Sequence, residues 1–222
     1  MPDSPLDPAS CDPAVLDDEA RRTLRTRAVA DAVRARLGPA RRGRAMDVGA
    51  GAGGVSVLLA DLFDEVVLVD VDPEALADAA AALAGTPAAV TGGTTVRGVL
   101  VDLSAEHPAP VAGTLEPVDV VYAVMSAHHI RDLPRLLRAV HGLLVPGGRL
   151  FIADLEPDGG AFHLHLERFD GHDGFDVGTL SAWLTAAGFV VDSCERVHVV
   201  RKVVDGAPRD FPLFLVTATR RG

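Results

Sequence analysis

The stretch Arg44-Ala45-Met46-Asp47-Val48-Gly49-Ala50-Gly51-Ala52-Gly53-Gly54-Val55 places a short apolar run directly before a cluster of glycines and a second apolar run directly after it. The first run suits a buried strand and the second a helix, with a turn between them in which glycine lets the backbone reverse and approach a ligand closely. Gly49, Gly51 and Gly54 satisfy the spacing Gly-x-Gly-x-x-Gly, and Asp70 stands 21 residues after Gly49. At the end of the next strand, such a carboxylate takes the hydroxyl pair of a ribose. Asp47, two residues before the first glycine, puts a further carboxylate at the strand end. It suits a ligand carrying positive charge better than a pyrophosphate.

Outward from this turn the chain alternates. Strands are expected at 44–48, 65–70, 96–101, 118–125 and 149–154, and helices at 55–63, from Pro73 to about Leu83, behind Asp132, and around Leu180, Trp183, Leu184 and Ala187. Asp72-Pro73 supplies a cap and a first-turn proline. Leu133, Leu136, Leu137, Val140, Leu143 and Leu144 form a 3.6-residue stripe that Pro146-Gly147-Gly148 ends. Residues 86–95 and 104–117 read as loops. The last two strands, 189–200 and 212–219, are joined by Asp205-Gly206-Ala207-Pro208 and read as a hairpin. The pattern predicts an α/β, Rossmann-like doubly wound sheet of about seven strands. It is mostly parallel, with one antiparallel strand near the C-terminus and helices on both faces.

Before the glycine turn, Asp12-Pro13 followed by Leu16, Ala20, Leu24, Val29, Val33 and Leu37 predicts one long or two short helices ending at Gly38-Pro39. The expected organisation is a flexible tail over 1–12 and a single domain over 13–222, with a helical cap at 13–40 and the core at 41–222. At 222 residues, 48% hydrophobic and 23% charged, the chain is long enough to bury one core. The acidic, proline-rich start Met1-Pro2-Asp3-Ser4-Pro5 lacks the basic and apolar regions of an export signal. Cys11 and Cys194 make no disulfide framework, so a reducing cytoplasm is the expected setting. No apolar run approaches the ~20 residues that cross a bilayer, and no membrane partner is expected.

Net charge is -10, yet residues 21–44 carry nine arginines against Asp31 alone, a local +8 that leaves -18 for the remainder. No aromatic residue is interleaved with these arginines to stack on bases. They read as the solvated face of an alanine-rich helix, and nucleic acid is not an expected partner.

The joint pattern resembles the class I S-adenosylmethionine-dependent methyltransferases. Met46-Asp47-Val48-Gly49-Ala50-Gly51-Ala52-Gly53 is similar to their first motif, and Val69-Asp70-Val71-Asp72-Pro73-Glu74-Ala75-Leu76 to their second. Ser126-Ala127-His128-His129-Ile130-Arg131-Asp132, with Leu144-Val145-Pro146-Gly147-Gly148-Arg149-Leu150, resembles the fourth-strand and pre-fifth-strand signatures of their small-molecule branch. The likeness runs over about residues 44–155. It implies S-adenosylmethionine as cofactor, with Gly49, Ala50 and Gly51 passing under its methionine part and Asp47 facing its ammonium and sulfonium. Asp70 would accept from both ribose hydroxyls, Val71 would pack on the adenine, and Asp102-Leu103 would meet the adenine amino group. Ala123 would face the amino-acid part through its backbone. The implied partner is a small-molecule methyl acceptor, and the chain is expected to be a monomer or a homodimer. A nicotinamide-dependent oxidoreductase, NAD(P)-linked through the same glycine turn, and a cofactor-binding regulatory protein without turnover are the competing readings.

Ligands of open α/β sheets sit beyond the carboxyl ends of the strands, and histidine is concentrated there. His128 and His129 follow the fourth strand; His163, His165 and His172 follow the fifth, among Glu156, Glu167, Asp170 and Asp173. Methyl transfer aligns a nucleophile with the donor and, for a hydroxyl or acidic carbon, removes a proton. His128 and His163 are the expected bases, and His129, His165 and His172 are expected to face the acceptor. His163 and His165 with His172 or Asp170 would make a metal site only if three or four of them converged, so no metal is assigned and the segment reads as a substrate lid. Ala153-Asp154-Leu155-Glu156, Gly160-Ala161-Phe162-His163 and Gly174-Phe175-Asp176 resemble a subset of these methyltransferases whose acceptor is unassigned. The family's nitrogen-methylating proline-tyrosine motif is absent where Ala123-Val124-Met125-Ser126 stands, which favours an oxygen or carbon acceptor.

Overall fold

The computed structural model describes residues 18–40, 42–106, 115–164 and 168–222. Seven strands form one sheet: β1 (Arg42–Val48), β2 (Phe63–Asp70), β3 (Thr95–Leu100), β4 (Val118–Val124), β5 (Leu144–Leu155), β6 (Phe189–Val204) and β7 (Ala207–Arg220). Their order is β3-β2-β1-β4-β5-β7-β6. β1 to β5 pair in parallel, and β7 lies antiparallel between β5 and β6.

Four consecutive residues of β2, Val66 to Val69, are buried, as a parallel strand covered on both faces requires. Val66 and Leu68 point into one core with residues of α1 (Asp18–Leu37), α2 (Gly54–Leu59) and α3 (Pro73–Ala84). Val67 and Val69 point into the other, with the stripe Leu133, Leu136, Leu137 and Val140 of the helix Leu133–Leu143 and with Leu180 and Leu184 of the helix Val177–Ala186. Asp72 and Asp132 cap their helices by accepting from Glu74 N at 2.9 Å and from Arg135 N at 3.0 Å. The expected hairpin and its single antiparallel strand are both present.

Three local expectations differ. The helix predicted over 55–63 ends at Leu59, passes through a 3-10 turn at Ala60–Leu62, and gives way to β2 at Phe63. Phe63 is fully buried among the α1–α3 core, so its packing in the sheet overrides helical continuation. The predicted loop at 86–95 holds a one-turn helix, Pro87–Val90, capped by the Thr86 hydroxyl; one turn is too short to leave a periodic signal. Pro146-Gly147-Gly148 falls inside β5, whose pairing with β4 is irregular between Val118 and Val120. Among the described residues a single helix, α1, precedes β1. The expected tail at 1–12 lies outside the described residues. Among the described residues no helix is long and apolar enough to cross a membrane.

Leu137 is 1% exposed at the centre of the second core. Leu137→Ala is expected to lower unfolding free energy by about 2–5 kcal/mol in urea denaturation, through lost transfer energy and the cavity left behind. A loss under about 1 kcal/mol would show that this helix is not anchored through its stripe.

Candidate active site

The chain leaves β1 toward β2 on one side and β4 toward β5 on the other, so the strand order reverses between β1 and β4 and a crevice opens at their carboxyl ends. The Ser126 hydroxyl donates to the Val48 carbonyl at 2.7 Å and ties the two strand ends together. A Cβ on Gly49, where φ is +69°, would lie 2.5 Å from the Ser126 Cβ, so this approach requires glycine. Gly51, at φ +50°, has nothing within 4 Å of its Cβ position and lines the crevice with bare backbone.

The Asp70 carboxylate accepts from Gly51 N at 2.8 Å, Val71 N at 2.8 Å and Asp72 N at 3.0 Å. It therefore holds the glycine turn against the end of β2. Around it lies a cleft of about 590 Å³ lined by Gly49, Gly51, Asp70, Val71, Asp102 and Leu103, among others. Val71 is 67% exposed there, an apolar surface open to a flat ligand. Asp102 accepts from Ser104 N and Oγ at 2.8 and 2.6 Å. Ala123 is buried within β4 and paired with Ile152; Val124 and Met125 reach the crevice in its place. Met125 has φ 55°, a left-handed conformation costly for a side chain of its size.

A second pocket, about 340 Å³, shares Gly49, Gly51, Met125 and His129 with the first and continues to Asp47, Ala50, His128, Phe162 and His163. Asp47 accepts from Ser56 Oγ at 2.6 Å, and the same hydroxyl is 2.7 Å from the Tyr122 phenol. Burial pushes the Asp47 carboxyl up to about 7, with Asp70 adding to the effect and the Ser56 bond opposing it. His128 is buried, its Nδ1 2.6 Å from Asp154 Oδ1 and its backbone N–H donating to Asp154 Oδ2 at 3.1 Å. Asp154, fully buried at the end of β5, also accepts from Leu155 N at 2.8 Å.

Residues far apart in the chain converge here. Ring centroids of His128 lie 4.2 Å from His129 and 5.0 Å from His163, and His163 stacks on Phe169 at 3.9 Å. Burial, followed by the neighbouring His128 and His129, pushes the His163 imidazole down to about 4; His129 is lowered for the same reasons. His163 is therefore neutral at pH 7. His172 is elsewhere: its Nε2 meets the Ile130 carbonyl at 3.0 Å and its backbone N–H donates to the His128 carbonyl at 2.7 Å, bracing the turn that carries the histidine pair. His165 lies outside the described residues.

The arginine-rich stretch divides. Arg34 pairs with Asp61 at 2.6 Å, Arg36 with Glu195 at 2.9 Å, and Arg44 with Glu65 and Glu116. Arg22 and Arg25, with Thr26, line the histidine pocket instead. Burial, and secondarily Arg22, lowers the Arg25 guanidinium's proton affinity, and its Nε has no hydrogen-bond partner among the described residues. The sequence marks this segment as a helical cap over the acceptor pocket but places its arginines on a solvated face, and it assigns no role to Met125, Phe162 or Asp154. Arg22 and Arg25 stand one helical turn apart, but their spacing does not reveal which face meets the sheet. The acid at the end of the fifth strand was visible in Asp154 but not its partner.

A family model described as a methyltransferase domain matches residues 20–193. The ubiquinone biosynthesis O-methyltransferase of Xanthomonas axonopodis pv. citri is 33% identical over 72% of this chain and 67% of its own length. An uncharacterised methyltransferase of Schizosaccharomyces pombe is 46% identical over a short segment, 22% of this chain and 17% of the relative. Among solved structures, an S-adenosylmethionine-dependent methyltransferase from Mesorhizobium loti superposes with TM-score 0.63 at 22% identity, over 87% of this chain and 98% of that one. That likeness bears on the fold, whereas the family match covers most of the chain and sets the nicotinamide reading aside. The chain thus belongs to the class I S-adenosylmethionine-dependent methyltransferases.

Proposed function

We propose that this enzyme transfers methyl from S-adenosylmethionine to an oxygen or carbon of a small-molecule acceptor held beside His128, His129 and His163. The observation that carries this reading is the continuity of the two pockets through Gly49, Gly51, Met125 and His129, which leads from the ribose carboxylate to the histidines. The residues present fit the cofactor. Asp70 is fixed by three backbone N–H groups and lines the nucleoside cleft beside the exposed Val71, while the bare backbone of Gly51 leaves room for a ligand. Asp47 lies where an ammonium and a sulfonium would meet a carboxylate, and Arg22 and Arg25 are the cations available to the cofactor's own carboxylate. When bound, the cofactor supplies the electrophilic methyl group, and the protein's task is alignment and proton removal.

His128 is the proposed base. Its Nδ1 is tied to Asp154, which fixes the ring, stabilises the imidazolium formed when the other nitrogen takes a proton, and is itself held by backbone N–H groups. His163, kept neutral, and Phe162 form the wall against which the acceptor packs. α1 closes the pocket through Arg22, Arg25 and Thr26, as a cap on the core. An oxygen acceptor is supported by the O-methyltransferase relative and by the lack of a proline-tyrosine motif after β4.

Asp70→Ala is expected to weaken S-adenosylhomocysteine binding by about 1–3 kcal/mol in calorimetric titration, since the lost bonds are charge-assisted; unchanged affinity would remove Asp70 from the site. Asp47 is protonated below about pH 7 and ionised above it, and the ammonium group of S-adenosylhomocysteine favours the ionised form. Affinity for S-adenosylhomocysteine should therefore rise from pH 6 to pH 8 in the native chain and stay flat in Asp47→Asn, and a rise in both would place the titrating group elsewhere. His128→Gln is expected to cut kcat by about 10²–10⁴-fold while leaving cofactor affinity in place. Full turnover in that variant would show that alignment alone suffices.

A further inference from the structure

We propose that His128, His129 and His163 bind one divalent transition-metal ion of the zinc class at the acceptor end of the pocket. One ring nitrogen of each lies within 4.8 Å of the other two. Three nitrogens about 2.0–2.1 Å from a tetrahedral ion stand about 3.3 Å apart, so a modest inward rotation completes the set. His129 is the exposed member, seated in a 3-10 turn at Ala127–His129, and has room to make that movement.

A second observation points the same way. The Asp154 carboxylate holds Nδ1 of His128 at 2.6 Å, leaving Nε2 as its donor nitrogen, and is itself fixed by two backbone N–H groups. A carboxylate behind a histidine is the arrangement that orients a metal-binding imidazole and raises its basicity. Imidazole donors with no thiolate select zinc, iron, cobalt or nickel over magnesium or calcium, and a three-nitrogen set leaves a fourth position open toward the pocket. The ligand set differs from the one that proximity in the chain suggests. His172 is engaged at the Ile130 carbonyl, and Asp170 pairs with Arg131.

Charge in the pocket bears on the ion directly. Arg22 and Arg25 oppose a cation, whereas Asp47 and Asp154 favour it, and the carboxylate of a bound S-adenosylhomocysteine adds negative charge on the arginine side. Binding of the ion does not depend on the methyl-transfer reading; its use does. With the ion bound, Nε2 of His128 is a ligand, and the ion would acidify an acceptor hydroxyl whose proton passes to solvent; without the ion, Nε2 takes that proton.

The test is a titration of the chelator-stripped 222-residue chain with Zn²⁺, with and without saturating S-adenosylhomocysteine, alongside the visible spectrum of the Co²⁺ form. One equivalent of zinc with micromolar or tighter affinity is expected, with cobalt bands typical of four- or five-coordination. His129→Ala, an exposed change that spares the core, should weaken zinc at least about tenfold, and Asp154→Asn about 10–100-fold with altered cobalt bands. Zinc that fails to bind the folded protein, or binds His129→Ala equally well, overturns the site. S-adenosylhomocysteine is titrated into the same samples. Loss of zinc with that binding intact refutes only the metal site, and zinc binding without it refutes only the cofactor reading.

Discussion

At the reversal between β1 and β4 two strand ends must come close enough to bond and still leave a crevice. Ser126 donating to the Val48 carbonyl makes that contact, and the missing side chain at Gly49 permits it. Both pockets adjoin this junction. The glycine turn that continues from β1 is clamped by Asp70 from β2, and the residues following Ser126 carry His128 and His129 to the same edge. Any side chain at Gly49 would press the two strand ends apart and disturb both pockets at once. Met125, adjacent to Ser126, accepts a left-handed backbone so that the chain can turn from β4 into the histidine segment.

The electrostatics of the crevice are graded. At one end Asp70 and Asp102 are carboxylates oriented by backbone and hydroxyl donors. At the other end burial and the neighbouring His128 lower the proton affinity of the His129 and His163 imidazoles, and α1 adds two guanidiniums to the pocket lining. Between them Asp47 sits in a buried network with Ser56 and Tyr122 that leaves its ionisation sensitive to what binds. A desolvated carboxyl of this kind strengthens its attraction for a cation when one arrives, because little water competes.

Much of the fold was legible from the chain because its signals are local. The stripe Leu133, Leu136, Leu137 and Val140, the caps Asp72 and Asp132, and the turn at Asp205-Gly206 each act over a few residues, and each appears as expected. Where local signals lost, a packed neighbour won. Helical propensity through 55–63 yields to Phe63 in the sheet, and the apparent full stop at Pro146-Gly147-Gly148 is absorbed into an irregular start of β5. That Asp47, Gly49, Ala50, Gly51, Asp70, Val71, Asp102 and Leu103 line two adjoining pockets was readable for the same reason, since a strand, a turn and the next strand end fix them relative to one another.

By itself the sequence determined the doubly wound sheet, the position of its crevice and the family. Those follow from periodicity, glycine placement and motif order, which are properties of neighbouring residues. Only the tertiary structure decided that His163 joins His128 and His129 while His172 braces their turn, that Asp154 stands behind His128, and that Arg22 and Arg25 turn inward while Arg34 and Arg36 pair at the surface. These residues lie on separate elements whose relative placement is set by how two helical layers pack on the sheet. A linear pattern of charges and imidazoles carries no record of which of them that packing brings face to face.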